Sequence, residues 1–253
     1  MHISHGRFVW HDLIAVDPEG AKSFYTQIAQ WGTQRWDESH YEMWTRDSVP
    51  LGGVESLSDR MKANGVKPHW LPYVCVYDVD EAVRLSSTLG ARVVVPPKEI
   101  ASIGCWAVIA DPQGAVIGVY EPADETPKQT GEPKVGEFSW HELATGDYKA
   151  AADFYRAIFK WETISDYDMG EMGIYHMFGQ RGQTYGGMFN RSPDMPPSSW
   201  LSYIRVPDVK PVAERVTQLG GTVFSGPMEV PGGDWVAQLS DPQGALVALH
   251  AKK

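Results

Sequence analysis

The chain repeats itself. Phe8-Val9-Trp10-His11-Asp12-Leu13 returns as Phe138-Ser139-Trp140-His141-Glu142-Leu143, an offset of 130 residues. At the same offset Phe24-Tyr25 matches Phe154-Tyr155, Trp31 matches Trp161, and Trp70 and Tyr73 match Trp200 and Tyr203. Asp111-Pro112-Gln113-Gly114-Ala115 comes back unchanged as Asp241-Pro242-Gln243-Gly244-Ala245. So many bulky residues in one register mean a duplicated fold, which restricts the architecture to two copies of one unit. The halves are assigned as residues 1–122 and 137–253. Residues 123–136, rich in proline and polar residues, form a surface linker.

A weaker repeat lies inside each half. Asp17 and Asp78 are 61 residues apart, as are Asp147 and Asp208. Each aspartate follows a strand-like stretch and precedes a helix-like one. Asp17-Pro18 sets a capping carboxylate before proline at the first helical position. Ala21, Phe24, Tyr25 and Ile28 then recur at helical spacing and predict one buried stripe. Ala82, Leu85 and Leu89 predict a second helix stopped by Gly90, and Val212, Val216 and Leu219 predict its counterpart stopped by Gly220. Short β-type runs follow, such as residues 91–95, 105–110 and 115–120, with Asp-Pro-Gln-Gly as a hairpin turn. The fold class is α+β: four βαβββ modules in two homologous halves, each half a cupped sheet with helices on its outer face.

Bulk properties narrow the functions. Of 253 residues, 43% are hydrophobic and 21% charged, an ordinary globular balance. A formal net charge of −10 makes nucleic acid and anionic membranes poor partners. No apolar run approaches the ~20 residues of a membrane helix. Cys75 and Cys105 are the two cysteines and make no disulfide framework, so a reducing, cytoplasmic setting is expected.

The strand–Asp–helix openings with Phe24-Tyr25 and Phe154-Tyr155, the strand ends at Asp78 and Asp208, and the two Asp-Pro-Gln-Gly turns carry a resemblance. Together they resemble the vicinal-oxygen-chelate superfamily of glyoxalases, extradiol dioxygenases and bleomycin-resistance proteins. The tandem halves look like a mycobacterial secreted-antigen-like subgroup of two-domain glyoxalase-like proteins. The resemblance implies a divalent metal held by imidazole and carboxylate ligands, a Lewis acid for two substrate oxygens. It also implies where the ligands fall: Trp10, Leu71 and Gly118 in one half, Trp140, Leu201 and Ala248 in the other. None of these side chains coordinates a metal, so no metal site and no cofactor are expected. His11 and His141 sit one residue along, where strand alternation turns them toward the helices and a buried structural role. His2, His5, His40, His69 and His176 share no spacing and are read as surface residues.

Alternation sends Asp12 and Glu142 to the same face as Trp10 and Trp140, as a candidate acid–base pair. Tyr73, Tyr120 and Tyr203 fall there by parity, and His250 follows Ala248 by two residues. With the two tryptophans these make the candidate ligand-binding set. Gly52-Gly53 and Gly186-Gly187 lack the Lys-Ser/Thr of a phosphate loop and mark a strand irregularity. The expected function is a metal-free small-molecule binding protein, monomeric or homodimeric. Two alternatives are an acid–base enzyme using Asp12 and Glu142, and a metal-dependent lyase or dioxygenase with unusual ligands.

Overall fold

The computed structural model describes residues 4–36, 41–101, 103–124 and 131–253. In chain order the first half contains β1 (Phe8–Ala15), α1 (Pro18–Ile28), β2 (Gly32–Arg35), β3 (Glu42–Arg46), β4 (Val49–Ser56), a short α2 (Asp59–Ala63), β5 (His69–Cys75), α3 (Val79–Thr88), β6 (Arg92–Ile100), β7 (Gly104–Ala110) and β8 (Val116–Pro122). The second half contains β9 (Phe138–Thr145), α4 (Tyr148–Phe159), β10 (Glu162–Asp168), β11 (Ile174–Gln180), β12 (Gln183–Asn190), β13 (Ser199–Arg205), α5 (Val209–Gln218), β14 (Thr222–Glu229), β15 (Trp235–Ser240) and β16 (Leu246–Ala251). Two eight-stranded sheets result, ordered β2-β3-β4-β1-β5-β8-β7-β6 and β10-β11-β12-β9-β13-β16-β15-β14. The α+β class with two homologous halves is what the repeat predicts.

The helices start where capping chemistry places them. Asp17, Asp78, Asp147 and Asp208 are N-caps whose carboxylates accept amide hydrogens of the first turn. In α1 the buried stripe is Ala21, Phe24, Tyr25 and Ile28. In α3 the stripe shifts from the expected one. Val79, Ala82 and Ser86 are buried, while Leu89 caps the C-terminus and is 41% exposed. Ser86 tolerates burial because its hydroxyl donates to the Ala82 carbonyl at 2.6 Å.

Compaction follows a partition of its own. One unit comprises Met1–Val9, Pro72–Thr130 and His141–Trp200; the other comprises Trp10–Leu71, Gly131–Trp140 and Leu201–Lys253. Each unit has its own apolar core and thus pairs a module of one sequence half with a module of the other. In the second unit Phe24, Tyr25 and Trp31 pack with Val209, Val216 and Leu249. In the first, Phe154, Tyr155 and Trp161 pack with Val79, Ile109 and Ile117.

The Asp-Pro-Gln-Gly turns do more than close hairpins. Tyr25 Oη donates to Asp241 Oδ2 at 3.1 Å and accepts from Trp70 Nε1 at 2.8 Å. Asp241 Oδ1 takes the Gln243 and Ala245 amides. The Gln243 side-chain amide meanwhile clasps the Asp17 backbone, donating to its carbonyl and accepting from its N–H, both at 2.7 Å. The first unit repeats this with Tyr155, Asp111, Trp200, Gln113 and Asp147. Burial raises the Asp241 and Asp111 carboxyls above the usual range, against the pull of these hydrogen bonds. Such buried groups persist because they are bonded.

Candidate functional site

Strand register creates the site. In the second unit β1 runs parallel to β4 with Asp12 opposite Gly53. A Cβ at position 53 would meet the Tyr41 hydroxyl at 2.0 Å, so any other residue there displaces Tyr41 from this pose. Into that gap Tyr41 extends its phenol, donating to Asp12 Oδ1 at 2.6 Å. Trp10 Nε1 lies 2.8 Å from the same Oδ1 and 2.8 Å from Tyr41 Oη. Asp12 is 7% exposed. Burial, then the Asp12 charge, pushes the Tyr41 phenol well up, so it stays protonated and donates.

The first unit builds the counterpart. Glu142 stands opposite Gly187, and Tyr175 Oη donates to Glu142 Oε2 at 2.9 Å. A Cβ at position 187 would lie 2.1 Å from the Tyr175 ring. Tyr41 and Tyr175 were absent from the sequence-derived set because the repeat slips there from 130 to 134 residues. The glycine pairs Gly52-Gly53 and Gly186-Gly187 carry the same slip and were the available signal.

The other candidates have separate partners. Tyr73 is buried, opposite Gly118, with Trp106 edge-on at 6.2 Å and Lys98 Nζ 5.5 Å from the Trp106 ring. Tyr120 lies opposite Trp106 and donates to the Ile103 carbonyl at 2.7 Å. Tyr203 is buried, opposite Ala248, and accepts from Gln238 Nε2 at 3.0 Å. Trp140 is half-buried. His250 joins Ser139 and Asp234. Of the predicted set, the structure bonds Trp10 directly to Asp12 and holds His250 between Ser139 and Asp234.

The histidines divide differently from the sequence expectation. His11 and His141 are buried and stack on Phe138 and Phe8, both at 3.6 Å, consistent with structural roles. His5 and His176, expected at the surface, are buried as well. His5 gains a stacking partner in Tyr77 at 4.3 Å, and His176 holds Asp166 at 2.6 Å. The Asp166 bond replaces lost hydration at His176, whereas burial presses the pKa of the His5 imidazole down to about 4. His69 is half-buried, and His2 and His40 lie outside the described residues.

The residues present do not fit the superfamily's metal. The resemblance puts a glutamate of the first half at position 118, which is glycine, and a Cβ there would meet the Tyr73 ring at 2.1 Å. Leu71 and Ala248 are buried and apolar. Among the described residues no three His, Cys, Asp or Glu side chains gather in a way that could hold an ion.

Residues 137–249 match the model of the Glyoxalase/Bleomycin resistance protein/Dioxygenase superfamily. "Putative glyoxylase CFP32" of Mycobacterium bovis is 29% identical over 249 residues, covering 95% of this chain and 92% of that protein. "Anthracycline biosynthesis protein DauV" of Streptomyces sp. strain C5 is 27% identical over 258 residues, covering 95% and 91%. Among solved structures, the Mn(II)-bound glyoxalase of Novosphingobium aromaticivorans superposes with a TM-score of 0.66 at 13% identity, over 99% of this chain and 82% of that one. The 2,3-dioxygenase LapB of Pseudomonas sp. KL28 gives 0.67 at 10%, over 97% and 92%. The second half of the chain thus matches this superfamily's model, and the first half repeats the second in sequence. The chain is a tandem of two such halves, with two sheets.

Proposed function

We infer that this chain is a metal-free small-molecule binding protein of the vicinal-oxygen-chelate type, with ligand sites organised by its two carboxylate–tyrosine pairs. The observation that carries the reading is Tyr73 filling the space beside Gly118, where a metal-binding glutamate would have to stand. In the second unit, Trp10 supplies an aromatic face beside a carboxylate whose Oδ1 accepts from Trp10 and Tyr41. A carboxylate oxygen has about two lone-pair sites, which these two hydrogen bonds fill, so Oδ1 is held as a fixed acceptor beside the aromatic face. The relatives named for anthracycline biosynthesis make polycyclic aromatic compounds the first ligand class to examine.

The test combines elemental analysis of untagged protein with fluorescence titration of an anthracycline. Saturable binding without metal, weakened in Asp12→Asn and Glu142→Gln, supports the reading. Near-stoichiometric Fe, Mn, Ni, Co or Zn overturns its metal-free part. Conversion of the compound, abolished in Asp12→Asn, replaces it with the acid–base reading.

A further inference from the structure

The second unit contains a polar relay that neither the fold nor the carboxylate–tyrosine pairs require. Ser139 Oγ lies 2.8 Å from His250 Nδ1, and His250 Nε2 lies 3.0 Å from Asp234 Oδ2. Ser139 sits near the start of β9 and His250 near the end of β16. Asp234 is delivered by a turn in which Val230 and Asp234 are hydrogen-bonded. Gly232 and Gly233 take φ of +107° and +94° in that turn, values that favour glycine.

The duplication supplies an internal control. At the 130-residue offset the three positions are Val9, Gly104 and Tyr120 in the first half. That half forms the same sheet without a relay, so the strands do not need one to pair.

The polarity suits nucleophilic chemistry. A carboxylate can only accept at Asp234, which fixes the imidazole proton on Nε2 and turns the Nδ1 lone pair to the Ser139 hydroxyl. Asp234 Oδ1 also accepts the Lys253 amide at 3.3 Å. Burial alone would raise this carboxyl; hydrogen bonds from His250 and Lys253 outweigh it and hold the group below its usual range. Asp234 is therefore charged when the imidazole must become a cation. The His250 side chain is 12% exposed and that of Asp234 31%, so the relay reaches solvent.

We propose that Ser139, His250 and Asp234 form a nucleophilic serine site for small activated carboxylic esters. Ser139 Oγ bonds to the ester carbonyl carbon while its proton passes to His250 Nδ1. The ester C–O bond then breaks, and the alcohol leaves carrying that proton. Water adds to the acyl carbon, giving one proton to Nδ1, which returns it to Ser139 Oγ as the acid departs. Ester and water become acid and alcohol, with no other reactant. Asp234 acts as a positioning residue.

The full-length protein is treated with a fluorophosphonate and analysed by intact mass and peptide mapping, with hydrolysis of p-nitrophenyl acetate followed in parallel. The expected result is a single adduct on Ser139, absent in Ser139→Ala and slowed about a hundredfold or more in His250→Gln. Asp234→Asn should slow labelling of Ser139 while its own unfolding midpoint stays close to that of the wild type. Folded wild-type protein with no adduct on Ser139 overturns the proposal. So does an adduct whose rate is unchanged in His250→Gln.

Discussion

The ring of Tyr73 occupies the space that any side chain at Gly118 would enter, its Cδ1 2.1 Å from the site of a Cβ. The two residues face each other on parallel strands β5 and β8. The glycine is thus matched to a neighbour's bulk, which fills a position where the resemblance implies a carboxylate. Gly118→Ala should destabilise the protein by about 1–3 kcal/mol through overpacking. Tyr73→Ala in the same chain should recover part of the loss. Urea unfolding of both single variants and the double variant measures the coupling, and strict additivity would contradict the geometry.

Tyr25→Phe should cost about 1–3 kcal/mol, because it leaves Asp241 Oδ2 and Trp70 Nε1 without the hydroxyl that joins them. Tyr155→Phe should cost a similar amount through Asp111 and Trp200. Equilibrium unfolding of each variant provides the comparison. A loss confined to one would break the equivalence of the two networks.

His141 supplies a pH test. Burial presses its pKa from 6.5 to about 3. The unfolded chain therefore binds a proton that the folded chain refuses between those values. Its contribution to stability is complete above the unfolded pKa and is lost as pH falls toward the folded one. From pH 8 to pH 4.5, wild-type stability should fall by an amount of order 2 kcal/mol more than that of His141→Phe. The phenylalanine keeps the stack on Phe8. Parallel pH profiles for the two proteins would show that His141 is not held neutral.

Asp12→Asn and Glu142→Gln should each weaken ligand binding about tenfold, equivalent to about 1.4 kcal/mol. The amide oxygens can still accept from Tyr41 and Tyr175, so unfolding midpoints should move little. Fluorescence titration beside thermal melts separates the two effects. A large drop in stability would make these pairs structural.

Much of this was legible because it is local. The N-cap aspartates, the Phe24-Tyr25 and Phe154-Tyr155 stripes and the succession of strand, helix and three strands along the chain follow from capping and periodicity over a few residues. Trp10 beside Asp12 followed from alternation along one strand. Tyr41 did not, because it lies outside β3 and reaches Asp12 through the space left by the glycine at 53. His5 and His176 were misplaced for the same reason: their burial depends on Tyr77 and Asp166, which no spacing rule joins to them.

The sequence by itself determined the duplication, the α+β class and the four modules. Tertiary structure decided which modules share a core, placing Tyr25 on Asp241 and Tyr155 on Asp111. It also decided which polar side chains meet, including Ser139 with His250. The physical reason is range. Helix and strand signals are written in neighbouring residues, whereas a buried hydrogen bond between distant positions is fixed only when packing brings both groups out of water together.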